Sequence, residues 1–409
     1  MRSSAAITSG VSAFAAAASA LQFQNTPLYS SYSFNALEHL AGNSPYFEPV
    51  DNPGRQPDPP RGCSVTRAAY LVRHAAINAN DFDYEEYLEP FLEKLGNATK
   101  TDWARTELLT RTGKVEAAQL GLSLSYRYPK LRLPKRVWTS TAERTVQSAK
   151  GLVRGLELDD DTINVVEVHE GKQAGADSLT PYKSCKGYAS DTGSDQQGEY
   201  VKAYTAPIVA RLNDAVSSQG GGGFNFTTAD VMAMQALCGY ETVIRGSSPF
   251  CSTDLFTPDE WLQYEYGQDI QYHYNAGYGS RVAGAIGFPW LNATLGLLAG
   301  AAPRRTSHEL HRAWRLLLRW EQQQQLVVIV RLCFCVDALP RPSEPQPQVL
   351  PGCFDGPGQS CSADGLQKFL RQREGLFGGY SEICGNTYKN STDAVTFYTN
   401  SNNGTTVGK

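Results

Sequence analysis

Between Ala68 and His169, short unbroken apolar runs alternate with longer stretches of helical spacing, and that alternation leaves few folds open. "AAYLVRH" carries branched and aromatic residues with no polar face, so it predicts a short strand buried on both sides and ending at His74. "TELLTRTGKVEAAQLGLSLSYRYP" predicts a helix that starts near Thr110 and Thr112 and stops before Pro129. "KRVWTS" predicts a second strand. It runs into "TAERTVQSAKGLVRGL", where Val146, Ala149, Leu152, Val153 and Leu156 share one helical face and Arg144 falls in the first turn. "INVVEVH", from Ile163, predicts a third strand. This order implies an α/β fold, a largely parallel sheet flanked by helices, with its active groups at the carboxyl ends of the strands.

Elsewhere the pattern changes. From about Leu179 to Leu291, helical segments joined by Gly-rich and aromatic stretches predict an inserted, mainly helical lobe at residues 179–291, with the α/β domain at 63–178 and 292–389. The Gly220 to Gly223 run is a loop without the Lys-Ser/Thr ending of a phosphate-binding P-loop. Residues 21–62, rich in Pro, Asn and Gly toward their end, predict an extended arm, and the Thr-, Ser- and Asn-rich residues 390–409 predict a disordered tail. The sheet is expected to resume at "LVVIVRLCFCV". Between them, from Arg304, the composition turns abruptly to Arg and Gln. That segment reads as an exposed polar helix, or as a spliced-out or frame-shifted stretch.

Composition excludes some partners. The 409 residues are 41% hydrophobic and 19% charged with a formal net charge of -4, an ordinary globular balance that argues against a nucleic-acid partner. No apolar run after residue 20 approaches the ~18 residues of a membrane span, so no membrane is expected. Residues 1–20 show one arginine, an Ala/Ser-rich stretch and the small-x-small Ala18-Ser19-Ala20, which predict a signal peptide and secretion. Nine scattered cysteines without zinc-type spacing, and acceptor sequons at Asn97, Asn225, Asn292, Asn390 and Asn403, agree with an oxidising compartment.

An arginine beside a histidine at a strand end, with a second arginine opening the helix after the next strand, suits phosphoryl transfer. Guanidinium forks match phosphate oxygens, and an imidazole nitrogen can attack phosphorus. Here "LVRHAAINANDFDYEEY" together with "VWTSTAERTVQSA" resembles the histidine acid phosphatases, particularly their fungal phytase-like branch. The likeness extends through "CGYETVIRGSSPFCSTDLFTPDEWLQYEYGQDIQYHYNAGYG" to "VLPGCFDGPGQSCSADGLQKFL".

The resemblance implies a nucleophile at His74 and phosphate ligands at Arg73 and Arg144, with Ser148 and Ala149 completing the Arg-x-x-x-Ser-Ala start of that helix. Of the family's Arg-His-Gly-x-Arg-x-Pro motif only the first two positions are kept. Ala75 replaces the glycine, Ile77 the second arginine and Ala79 the proline. Loss of that arginine removes a charge-assisted fork worth about 1.5–3 kcal/mol. The family also places a His-Asp or His-Glu pair after a strand near the carboxyl end, and His308-Glu309 is the literal candidate, His308 for phosphate and Glu309 as proton donor. His169 could reach the pocket rim, whereas His39 and His273 read as structural or surface residues. Disulfides between Cys238 and Cys251, Cys353 and Cys361, Cys185 and Cys384, and from Cys63 to Cys333 or Cys335, are also implied by the resemblance.

The function so implied is a secreted phosphomonoesterase acting through a phosphohistidine on small-molecule phosphate monoesters, inositol phosphates included, with no metal and no cofactor. The alternative is a catalytically impaired or inactive phosphatase fold that at most binds phosphorylated ligands, because the proton-donor motif is not clearly present.

Overall fold

The structure is a computed structural model that describes residues 34–44, 63–96, 106–156, 162–218, 224–299, 313–319, 328–335, 361–398 and 404–406. Its centre is a six-stranded sheet of β1 (Cys63–Arg73), β2 (Arg136–Thr139), β3 (Asn164–Val168), β4 (Ala313–Arg319), β5 (Val328–Cys335) and β6 (Gly404–Thr406). The strand order is β5-β1-β4-β2-β3-β6. β1, β4, β2 and β3 run parallel, and the two edge strands are antiparallel to their neighbours. Tyr70, Ala68 and Val137 are completely buried, as a doubly covered parallel sheet requires.

Two of the expected helices cover one face. α2 (Arg111–Arg127) begins at Thr110, whose hydroxyl accepts from Gly113 N at 3.0 Å, and α3 (Glu143–Leu156) follows β2. Val146, Ala149, Leu152, Val153 and Leu156 are all buried, the last four in one cluster with Tyr70, Val72 and Val137. The two helices pack backbone to backbone. A Cβ on Gly155 would collide with the Ala118 carbonyl oxygen, so Gly155→Ala is expected to destabilise the fold by about 1–3 kcal/mol, read as a lower urea midpoint.

α1 spans residues 81–94 and is interrupted by one π turn, since Asp81–Asp83 is α-helical, Tyr84–Leu88 is π and Glu89–Lys94 is α again. The helical region contains α4 (Ser194–Ser218), α5 (Thr228–Arg245) and α6 (Pro258–Asn275). α5 and α6 each open on a reciprocal capping box, Thr227 with Asp230 and Thr257 with Glu260. Trp261, Phe256, Leu237 and Ile208 form the centre of their core. α7 (Ala283–Ala299) packs against the sheet, with Leu295 and Leu298 in one cluster with Ala69, Leu366 and Leu370, the last two from α8 (Ala363–Phe377).

Three expectations need correction. The stretch from Arg304 does not continue as an exposed helix: residues 313–319 form β4, inserted between β1 and β2 with Tyr70 opposite Leu316 and Val137 opposite the same residue. The run Leu316-Leu317-Leu318 is what a central strand offers, and pairing with distant neighbours overrides the polar surroundings. Within residues 21–62, the piece at 36–43 is not extended. It coils into two 3-10 turns, Ala36–His39 and Ala41–Asn43, and Leu40 is 1% exposed in the core of the helical region. Residues 390–398 are ordered by packing, since Phe397 and Tyr398 are buried against Trp138, and the Asp177 carboxylate accepts from the backbone N–H groups of Thr396 and Phe397 at 2.5 and 2.9 Å.

The disulfides Cys185–Cys384 and Cys238–Cys251 are formed, as the resemblance implies. The register of β1 with β5 places Cys63 opposite Cys335, and Cys353 lies outside the described residues. Residues 1–33, with the expected signal peptide, also lie outside them.

Candidate functional site

His74 stands one residue beyond β1, and Arg144 lies in the first turn after β2, so both reach the same carboxyl edge of the sheet. A local hydrogen-bond chain joins them. Ala75 N donates to Ser148 Oγ at 3.0 Å, and that hydroxyl donates to the Arg144 carbonyl at 2.7 Å. Arg73, His74 and Arg144 therefore lie at one edge of the sheet, and both guanidiniums act electrostatically on the imidazole.

The imidazole is 7% exposed, and its Nδ1 lies 2.9 Å from the Ala75 carbonyl oxygen. A carbonyl only accepts, so Nδ1 carries the proton and Nε2 keeps its lone pair. Burial, and then the charges of Arg73 and Arg144, hold the imidazole well below its ordinary pKa. The ring thus stays neutral under mildly acidic conditions that would protonate a free histidine.

This shift has a consequence for stability. Below ~6.5 the unfolded chain protonates His74 while the folded protein does not, so the unfolded state binds more protons there and stability falls as pH drops through that window. Replacement by glutamine is therefore expected to gain stability relative to the parent as pH is lowered from about 7 to 5, measured by urea unfolding at each pH.

Arg73 Nη1 donates to the Gly42 carbonyl, while its buried Nε has no hydrogen-bond partner among the described residues. An unmet buried guanidinium donor is costly, and an oxyanion is the ligand that meets it best. Around Arg73 lies a cluster that sequence reasoning missed. Tyr240 Oη donates to Asp83 Oδ2 at 2.6 Å, Asn80 Nδ2 donates to the same oxygen at 2.8 Å, and Asp83 N donates to Asn80 Oδ1 at 2.8 Å. Burial pushes the Asp83 carboxyl above its ordinary range, and it pushes the Tyr240 and Tyr272 phenols up as well. The Asp83 and tyrosine charges in turn oppose the effect of burial on Arg73.

The loop after His74 is held from below. Ala76 N donates to Glu116 Oε2 at 3.1 Å, and the Ala76 carbonyl accepts from Thr110 N at 3.0 Å and Thr110 Oγ1 at 2.9 Å. Gly113 permits this approach, because a Cβ there would strike the Ala76 backbone. Ile77, where the resemblance leads one to expect arginine, forms a backbone bridge with Leu109. The segment carrying Leu109 also brings Glu107 to the site, where its Oε2 lies 2.6 Å from Arg144 Nη1.

Two other histidines have structural partners. His39 pairs through Nδ1 with Glu265 at 2.8 Å and stacks on Phe34, and His273 packs edge-on against Tyr274. His308 and Glu309 lie outside the described residues, so no placed group answers to the expected pair. No group of three or more His, Cys, Asp or Glu that could hold a metal ion occurs among the described residues.

Comparison with known proteins gives the same direction. The chain is 30% identical over 295 residues to the thiamine-repressible acid phosphatase pho4 of Schizosaccharomyces pombe, a match covering 63% of this chain and 62% of that protein. It is 27% identical to the phytase PHO112 of Candida albicans, over 91% of this chain and 92% of that one. The first of these relatives is therefore matched over less than two thirds of its own length. In fold, the phytase from D. castellii superposes with a TM-score of 0.75 at 22% identity, covering 95% of this chain and 96% of the other. Residues 54–328, which carry Arg73, His74 and Arg144, match branch 2 of the histidine phosphatase superfamily, and the chain belongs to that family.

Proposed function

We propose that the protein is a phosphomonoesterase that works through a phosphohistidine at His74. The observation that carries this reading is a buried imidazole with Nδ1 held 2.9 Å from the Ala75 carbonyl oxygen, beside two guanidiniums on one sheet edge. Arg73 and Arg144 hold the equatorial oxygens of the phosphoryl group and stabilise the charge on them as the attacking and leaving atoms pass in line. His74 Nε2 forms a bond to phosphorus as the ester P–O bond breaks, and a carboxylic acid protonates the departing alkoxide. Water then attacks phosphorus, the P–N bond breaks, and inorganic phosphate leaves.

The names of the relatives support a phosphate ester as substrate, since acid phosphatases and phytases are among them. Secretion is the compartment we infer. Two disulfides and the exposed sequon residues Asn225, Asn292 and Asn390 support it, and no helix among the described residues is long and apolar enough to cross a membrane.

Turnover of p-nitrophenyl phosphate at mildly acidic pH tests the reading. Release of phosphate that depends on His74 is the expected result. Tight binding of inorganic phosphate with no turnover would establish the non-catalytic alternative instead.

A further inference from the structure

Glu107 contacts a guanidinium that the proposed reaction needs, and three observations make the contact more than an ordinary surface pair. First, the two partners are unequally buried: the Arg144 side chain is 7% exposed and that of Glu107 is 36%. The arginine is fixed in the site, whereas the carboxylate can turn into water. Second, Glu107 has a φ of 61°, a left-handed backbone that a residue with a Cβ adopts at a cost and that surrounding contacts must enforce. Third, those contacts come from the loop beside the nucleophile. Glu107 N donates to the Ala79 carbonyl at 2.9 Å, Asn78 N donates to the Leu108 carbonyl at 2.9 Å, and Ile77 bridges Leu109. Residues 107–109 therefore run antiparallel to 77–79 and aim a carboxylate at Arg144 Nη1, 2.6 Å away.

We propose that Glu107 is a specificity-determining residue, an internal carboxylate that competes with the substrate phosphoryl group for Arg144 and, once displaced, repels further anionic groups on the ligand. This rests on the phosphatase reading above and refines it. A phosphate dianion carries more charge and more acceptor oxygens than a carboxylate, so it wins the guanidinium. The displaced carboxylate remains at the site and offsets one of the two arginine charges. With Ile77 supplying no third cation, the resulting seat suits esters bearing a single phosphoryl group and disfavours polyphosphorylated ones.

The test compares the parent protein with Glu107→Gln in three measurements: inhibition by inorganic phosphate, KM for p-nitrophenyl phosphate, and kcat/KM for inositol hexakisphosphate. The glutamine variant is expected to bind phosphate about tenfold more tightly, to lower KM in parallel, and to gain most on the hexakisphosphate. Glu107→Gly removes the same carboxylate while accepting the left-handed backbone, so it serves as a second variant whose folding is favoured. Unchanged or weaker phosphate binding in both variants, with Arg144→Ala still abolishing it, would overturn the competitor role alone. If neither the parent nor any variant binds phosphate, the phosphatase reading itself falls and this proposal with it.

Discussion

Replacing His74 with alanine is expected to lower kcat for p-nitrophenyl phosphate by at least about 10⁴-fold, because it removes the atom that the proposed mechanism bonds to phosphorus. Among the described residues, the side chains that contact this edge are poor replacements for the attack. Arg73 and Arg144 are cations and Ser148 Oγ is committed to the Ala75 N–H and the Arg144 carbonyl. The same substitution should leave the anion seat in place, since neither guanidinium depends on the imidazole for its hydrogen bonds to Gly42 and Glu107. Inorganic phosphate should therefore still bind, within a few-fold of the parent by titration calorimetry. Loss of both turnover and binding would mean that the imidazole is a structural support, and retention of turnover would exclude it as nucleophile.

Arg144→Ala carries the second large effect, a fall in kcat/KM of about 10³-fold. Two causes act together. The substitution removes a buried fork that the proposed reaction places on phosphoryl oxygens, and it removes one of the charges that lower the imidazole pKa. The second cause has its own signature: the pKa of His74 should rise toward the ordinary imidazole value, and the acid limb of the kcat/KM profile should move to higher pH with it. Arg144→Lys should recover little activity, because a single ammonium cannot reproduce the planar fork. Full activity in the lysine variant would show that charge alone suffices.

Much of the sheet-and-helix frame was legible in the chain because it is written locally. The five apolar positions from Val146 to Leu156 share a face at helical spacing, and Thr110 marks a helix start by its hydroxyl. The placing of Arg73, His74 and Arg144 at one sheet edge is written locally too, since Arg73 and His74 follow an apolar run and Arg144 opens a helix. What was not legible depends on distant partners. β4 is a strand because β1 and β2 flank it, and its short leucine run, set between two arginines, gives no alternation. Asp83 and Tyr240 meet across 157 positions, and no spacing rule predicts that phenol on that carboxyl. Glu107 reaches Arg144 only through a left-handed backbone in an irregular loop. Residues 390–398 read as disordered from their polar composition, yet two aromatic residues and the carboxylate of Asp177 are enough to order them.

The central claim is that His74 Nε2 becomes bonded to phosphorus during turnover. Mixing the protein with p-nitrophenyl phosphate, quenching within milliseconds into alkali, where phosphohistidine survives, and sequencing the peptides by mass spectrometry tests it directly. A phosphoryl group on the peptide at His74, absent from His74→Ala and gone once substrate is exhausted, is the predicted result. Steady release of phosphate with no phosphorylated histidine at any quench time, and no burst of nitrophenol, would contradict it.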